Sequence, residues 1–424
     1  MRCAPRKWAC PTCGALGRRK RKRTRKVRSL CYQEELWLKI EYGEYLAKCD
    51  CCKSFHSHPP GVELKAKYDD KVRQAVVDRI VQDKLNLSSV QAAMQRDFLL
   101  NLSTGFIYDT LDWAIRRFDG NAFRRRVLEE FSGVICVDEI HFGRRVLLLA
   151  SDPKSDNPLA AALVSRNDCE HMRRFLENLK NHGFSPKTVV TDRSQLYPST
   201  IAAVWPQAAH QLCVFHVIAE INKLLSDGVR DCRRSLKPKR IKKGRGRPSK
   251  RQRARVRKLQ AQRRRADALF RHRHLIVQKR AKLSPSQRKK LDELLALSPT
   301  LKTLRKFADD VHALFSLRRS RRQAMRIWRR MRRTRTYLAI EPLAKALEIL
   351  TRDNMRKLLV YLDEPLPART ATRTNNHVER CNRTLRYLEK VRYKWRRSRT
   401  IIRHILLQFQ NWLSVRENKT LSTT

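Results

Sequence analysis

The chain has 424 residues, a hydrophobic fraction of 41% and a formal net charge of +55, with a pI of about 10.9. The length allows two or more domains and a sizeable core in at least one of them. The cationic excess points to a polyanionic partner, DNA or RNA ahead of a membrane surface. The opening MRCAPRKWAC lacks the apolar segment of a secretory signal, and no stretch approaches the ~18 apolar residues of a spanning helix. A soluble, cytoplasmic protein is expected.

Of the 12 cysteines, Cys3, Cys10, Cys13, Cys31, Cys49, Cys51 and Cys52 crowd the start of the chain. In a reducing compartment such crowding points to metal rather than to disulfides. CPTCG (10–14) and CDCC (49–52) supply two Cys-x-x-Cys knuckles, Cys10/Cys13 and Cys49/Cys52. Together they make a tetrahedral Zn²⁺ site. The gap between them exceeds the usual ~15–20 residues, so Cys51, His56 and His58 stand as nearby substitutes. LWLKIEY (36–42) alternates like a strand, and residues 1–60 read as a small zinc ribbon. Residues 18–28, nine basic in eleven, must be solvated or lie against phosphate.

Residues 61–125 read as helical. Val72, Val76, Val77, Ile80 and Val81 recur at helical spacing, and a second helix follows with Ser88 as N-cap. A third begins with Ser103 or Thr104 as its cap. The pattern fits a helix-turn-helix whose last helix reads DNA, although any three-helix bundle looks similar.

From 132 the period changes. GVICVD, RRVLLLAS and PLAAALVS read as three consecutive strands, followed by a helix, a strand at KTVVTD, a short helix, a strand at HQLCVF and a helix at HVIAEINKLL. That order predicts a mixed α/β sheet. Residues 227–369 form a basic helical insertion. Within it, residues 237–256 hold eleven basic residues in twenty, the reading being a solvated or DNA-laid linker. GRGRPSK (244–250) contains the core of an AT-hook-like minor-groove binder, with Arg245 and Arg247 meeting the negative potential of a narrow A·T groove. An ordinary basic linker has the same composition. Residues 318–335, ten basic in eighteen, interleave Met325, Ile327, Trp328 and Met331 as the apolar stripe of a cationic helix. Two more helices close the chain.

Three carboxylates fall at topologically meaningful places. Asp138 ends the first of these strands, Asp192 ends the fourth, and Glu379 lies in the first turn of the helix opening at TNNHVER. Strands one and four can lie side by side, which brings the two aspartates to one edge, and a later helix can add Glu379. Three carboxylates at one point repel unless cations neutralise them, and Mg²⁺ or Mn²⁺ suits such oxygen ligands. Two ions about 3.5–4 Å apart can clamp the attacking and leaving oxygens of a phosphodiester. Each acid also has a plainer reading: Glu139 as the inward residue, Asp192 as a helix cap, and Glu379 as a capping-box partner of Asn376 or an i+4 partner of Arg383.

VDEIHFGRR, VVTDRSQLY and HQLCVFHV, followed much later by TNNHVERCNRTLR, resemble an insertion-sequence transposase of the Asp-Asp-Glu type, in a subgroup with an N-terminal zinc finger and helix-turn-helix before a ribonuclease H-like catalytic domain. The resemblance implies that residues 130–226 and 370–415 form that domain. It assigns the metal-binding, catalytic acids to Asp138, Asp192 and Glu379. It also implies a Cys-x-x-His after the fifth strand, here Cys213 and His216, which either buttresses the site or is a core thiol beside a helix-start histidine. Arg193 departs from the usual small residue after the second aspartate and either crowds the site or reaches a phosphate. Of the two glutamates on the last-but-one helix, Glu379 is chosen, with Glu389 taken as a solvated charge. The implied activity is cleavage of element ends and joining to target DNA, by a chain that assembles as a homo-oligomer on double-stranded DNA. A metal-dependent nuclease and a catalytically inactive DNA-binding regulator are the rivals.

Overall fold

The computed structural model describes residues 1–238, 249–391 and 395–421, with side chains through 413. Arg245 and Arg247 of the hook-like stretch lie outside the described residues. The chain divides into two compact units, one of Met1–Arg126 with Asn382–Thr424, the other of Val127–Cys381.

The first unit begins with β1 (Arg2–Cys3), β2 (Lys7–Ala9), β3 (Leu16–Ser29), β4 (Leu36–Leu46) and β5 (Ser54–His56), in a sheet ordered β1-β4-β3-β2 with β5 also on β4. The basic run 18–28, expected to be solvated or to lie against phosphate, falls within the long strand β3, where many of its side chains are exposed. Its cations find neighbours across the ladder: Glu44 takes Arg21 at 2.7 Å and Arg23 at 2.6 Å, and Glu41 takes Lys22 at 3.2 Å. The two guanidiniums pull the Glu44 carboxyl down to about 2. Gly17 permits close packing here, since a Cβ would meet Leu46 O and the Phe55 ring at 2.6 Å.

Helices α1 (Asp70–Val81), α2 (Leu87–Phe98) and α3 (Thr104–Arg116) follow, then α4 (Gly120–Glu129). The apolar stripe of α1 is buried as its spacing predicts. Caps are set by short polar side chains: Asp69 accepts from the Val72 amide, Asn86 rather than Ser88 from the Ser89 amide, and Ser103 from the Phe106 amide.

In the second unit β6 (Val134–Phe142), β7 (Arg145–Asp152), β8 (Asn157–Val164), β9 (Thr188–Thr191) and β10 (Ala209–Leu212) form a mixed sheet of order β10-β9-β6-β7-β8. The three-strand meander is antiparallel, whereas β9 joins β6 and β10 joins β9 in parallel. Between strands run α5 (Cys169–Asn181) and α6 (Leu196–Val204), and α7 (Val214–Leu236) leaves the sheet. The fifth strand is shorter than its sequence suggests: Cys213 precedes α7, and Phe215 is already helical.

The insertion comprises α8 (Lys250–Arg271), α9 (His274–Val277), α10 (Pro285–Leu295), α11 (Pro299–Leu314), α12 (Arg321–Arg333), α13 (Arg335–Leu338), α14 (Glu341–Ile349), α15 (Arg352–Leu358) and α16 (Leu366–Arg373). Residues 250–256 are thus the start of α8, closed by a Ser249–Gln252 capping box, not linker. The insertion shares one apolar core with α7, through Val217, Ile221, Leu225 and Val229. Gly228 allows α7 to approach α11 closely, because a Cβ would lie 2.9 Å from Leu304. In α12, Ala324, Ile327, Trp328 and Met331 are buried and Met325 is half-buried, so the apolar stripe is real. Helices α17 (Asn376–Val391) and α18 (Ser398–Leu421) complete the chain. Among the described residues, no helix is long and apolar enough to cross a membrane.

Candidate active site

Parallel pairing aligns Val134 with Thr188, Ile135 with Val189 and Cys136 with Val190. Carrying that register onward sets Asp138 beside Asp192, at the C-terminal end of β9. Successive residues of a strand face opposite ways, and β6 gives its two acids different neighbours. Glu139 is held by the Tyr197 hydroxyl and by the Asn167 amide at 3.0 Å. Asp138 instead feels Asp192 and Glu379 as well as Glu139. Burial first, then Glu139, Asp192 and Glu379, push its carboxyl up to about 7. Asp192 folds back on its own turn, accepting from the Ser194 amide at 2.8 Å.

The segment before α17 fixes where Glu379 sits. The Asn375 side chain donates to Val137 O at 3.2 Å and its backbone N–H to the Cys213 sulfur at 3.3 Å. The Cys136 thiol reaches Thr374 O at 3.9 Å. Asn375 is fully buried, and its carbonyl accepts from the Glu379 amide at 3.2 Å. Its side chain, and not a capping box at exposed Asn376, ties the helix start to β6. Glu379 Oε1 is buried with no hydrogen-bond partner.

Cys213, His216 and Glu379 bring one ligand atom each within 4.8 Å of one another, with His216 Nε2 at 3.7 Å from Glu379 Oε1. The Cys213 sulfur, and then the Glu379 and Asp192 charges, raise the imidazole to about 9 against the opposing effect of burial. The three acids Asp138, Asp192 and Glu379 share an electrostatic field, but among the described residues they do not form one such 4.8 Å group. Arg193 is drawn aside by Glu220 at 2.6 Å. Tyr197 and Asn167 were missed from sequence; a tyrosine five residues after a strand-end aspartate is the only signal for the first.

Glu389 is not the solvated charge its basic neighbours suggest. It is buried and pairs with Arg386 at 3.0 Å. In the first unit, Cys10, Cys49, Cys51 and Cys52 group within 4.8 Å, while Cys13 touches Cys51 at 3.4 Å.

A carboxyl raised above its unfolded value binds its proton more tightly when folded, so ionisation of Asp138 opposes folding as pH rises from about 4 to about 7. Asp138→Asn, without added divalent metal, is expected to melt several degrees above the wild type at pH 7.5 and to match it at pH 4.5. Thermal melts at the two values check this, and a variant less stable at pH 7.5 would refute it.

Asp138 and Asp192 lie side by side on neighbouring strands within the sheet, and Cys213, His216 and Glu379 form the group here that could hold a metal ion. Residues 135–399, more than half the chain, match a protein family described as transposase. No curated protein matches the chain. Among solved structures, a chain of the Drosophila P element transposase strand transfer complex is similar over 82% of this chain and 92% of its own, at 11% identity and a TM-score of 0.41.

Proposed function

The chain belongs to that transposase family, and from this premise we propose that it cleaves the ends of a DNA element and joins them to target DNA, with Asp138, Asp192 and Glu379 as the acids that hold divalent metal. The observation that carries the reading is the buried Glu379 oxygen without a hydrogen bond, together with Asp138, which lies midway along β6 rather than at a strand end and whose carboxyl is raised by burial, by Glu139 and by both other acids. His216 Nε2 stands 3.7 Å from that Glu379 oxygen, beyond hydrogen-bond reach, and a carboxylate oxygen buried without a hydrogen bond favours an accompanying cation. We read the strand order β10-β9-β6-β7-β8 as ribonuclease H-like, which supports the same assignment.

When bound, the metal supplies charge neutralisation at the phosphodiester and a more acidic water. This chain's residues supply the rest. Asp138 and Asp192 present carboxylates from adjacent strands. Asn375, hydrogen-bonded to Val137 O, holds the helix that carries Glu379. Tyr197 and Asn167 hold Glu139, keeping the end of β6 in register as positioning residues. Cys213 and His216 support Glu379 from the start of α7; as an imidazolium, His216 balances the glutamate until metal arrives. Water attacks first, releasing a 3′-hydroxyl, and that hydroxyl then attacks target DNA, so no serine or tyrosine nucleophile is assigned. The cysteine-bearing sheet and α1–α3 recognise terminal inverted repeats, and the cationic insertion contacts phosphates, in an oligomer assembled on DNA.

The test is incubation of the full chain with Mg²⁺, DNA carrying its own element ends and a target plasmid. Cut ends bearing 3′-hydroxyls together with joined products are expected. Cuts without joining would leave a nuclease, and no reaction with Mg²⁺ or Mn²⁺ would leave a DNA-binding regulator.

A further inference from the structure

Within the first unit, a cavity of about 920 Å³ lies between the N-terminus of α2, the outward side of α3 and the residues leading into α18. Its chemistry is cationic. Arg396, Arg397, Arg399 and Arg403 line it, against the acids Asp109 and Asp112. Arg399 at 2.8 Å and Arg403 at 2.6 Å share the single carboxylate of Asp112. Arg403, with its side chain only 9% exposed, keeps a buried Nε with no hydrogen-bond partner. Arg396 and Arg397 are exposed and form no ion pair among the described residues. Ser88 and Ser89 add the first turn of α2 to the wall. Amides of a first turn lack intrahelical acceptors and carry partial positive charge, which favours an anion there.

The same contacts change the picture of α3 as the reading helix. Its outward side carries exposed Tyr108 and Asp109, with Asp112 already held by α18 and its lead-in. An acidic helix face does not attract a DNA groove by itself. The cations of this wall come from the far end of the sequence.

We propose that the α2 N-terminus and the Arg396–Arg403 segment, which leads into and opens α18, form a clamp for consecutive phosphates of one DNA strand. The cavity is too large for one phosphate, and the two unpaired arginines stand at its exposed rim, which suits a backbone running past rather than a small captured anion. The proposal rests on the transposase reading only in taking duplex DNA as the polyanion.

The test measures binding of the full chain to a labelled duplex of about 30 base pairs, in element-end and scrambled sequence, across a salt series. Each phosphate contact contributes about −0.9 to the slope of log K against log salt. Arg396→Ala with Arg397→Ala should therefore reduce the slope by about 2 and weaken binding about 10- to 100-fold at low salt, equally on both duplexes. Ser88→Asp should also weaken binding while its melting temperature stays level or rises, because an acid in the first turn suits the helix dipole. A merely structural role for this corner predicts no loss from Ser88→Asp. Unchanged slope and affinity in both variants, with a wild type that binds and cuts, would overturn the clamp alone. A wild type with no salt-dependent DNA binding would overturn the transposase reading with it.

Discussion

Glu379→Gln is expected to lower metal-dependent strand cleavage by about a thousandfold or more, with DNA binding and folding intact. Glutamine keeps the length and planarity of the side chain and removes only the anion. Glu379 Oε1 makes no hydrogen bond and faces His216 Nε2 at 3.7 Å, a partly exposed pair that contributes about 0–1 kcal/mol, so the substitution should leave the melting temperature nearly level. Glu389→Gln is the discriminating partner. Glu389 is ten residues further along the helix, about 15 Å along its axis, and is buried against Arg386 at 3.0 Å. Losing that pair should cost about 1–3 kcal/mol but keep most cutting. The two variants thus separate stability from chemistry in opposite directions. Cleavage on element-end DNA, with binding and melting measured in parallel, decides the matter; robust cutting by the Glu379 variant would break the triad.

The strands of the second unit were legible because their apolar runs are short and bounded by turns, although β6 runs on past Asp138 and Glu139 to Phe142. Asp138 beside Asp192 follows from the β6–β9 pairing that the order of elements suggests. The sequence could not reveal why Glu379 is held there. That depends on Asn375 reaching Val137 and Cys213, contacts spanning 238 and 162 residues. Strand β3 was hidden for another reason. A dense run of like charges carries no strand signal and lysine is depleted in strands, yet Arg21, Lys22 and Arg23 of β3 pair with Glu44 and Glu41 on the neighbouring strand. Glu389 misled by the same logic: its neighbours in sequence are basic, but helical spacing turns it inward. Local charge density reports composition, and tertiary pairing decides what the charge does.

Zinc removal is expected to unfold the N-terminal sheet and abolish element-end recognition, while the second unit keeps its fold. The apolar cluster at this site is small, with Cys10, Tyr45 and Phe55 buried and Trp8, Ala47, Cys49 and Cys52 packed around them, so metal has to supply what burial does not. The Gly14 amide donates to Cys10 O at 2.9 Å with φ of +76°, and the Cys13 and Thr12 amides lower the Cys10 thiol to about 6. Cys52 is pushed up to about 11, chiefly by the Cys10 thiol, and Cys51 higher still by its four sulfur neighbours, Cys49 first. Thiols so crowded cannot all ionise unless a cation joins them. Five sulfurs compete for four positions of a tetrahedral ion. We propose Cys10, Cys13, Cys49 and Cys52, since each Cys-x-x-Cys turn can direct both of its thiolates at one ion, while the thiols that already group within 4.8 Å are Cys10, Cys49, Cys51 and Cys52. Protein purified without chelators should carry about one zinc per chain. Cys10→Ser and Cys13→Ser should each lose it, and Cys51→Ser should retain it. Zinc kept by Cys13→Ser and lost by Cys51→Ser would transfer the fourth position to Cys51, the thiol that lies within 3.5 Å of Cys10, Cys13 and Cys49. A wild type without zinc would remove the site altogether.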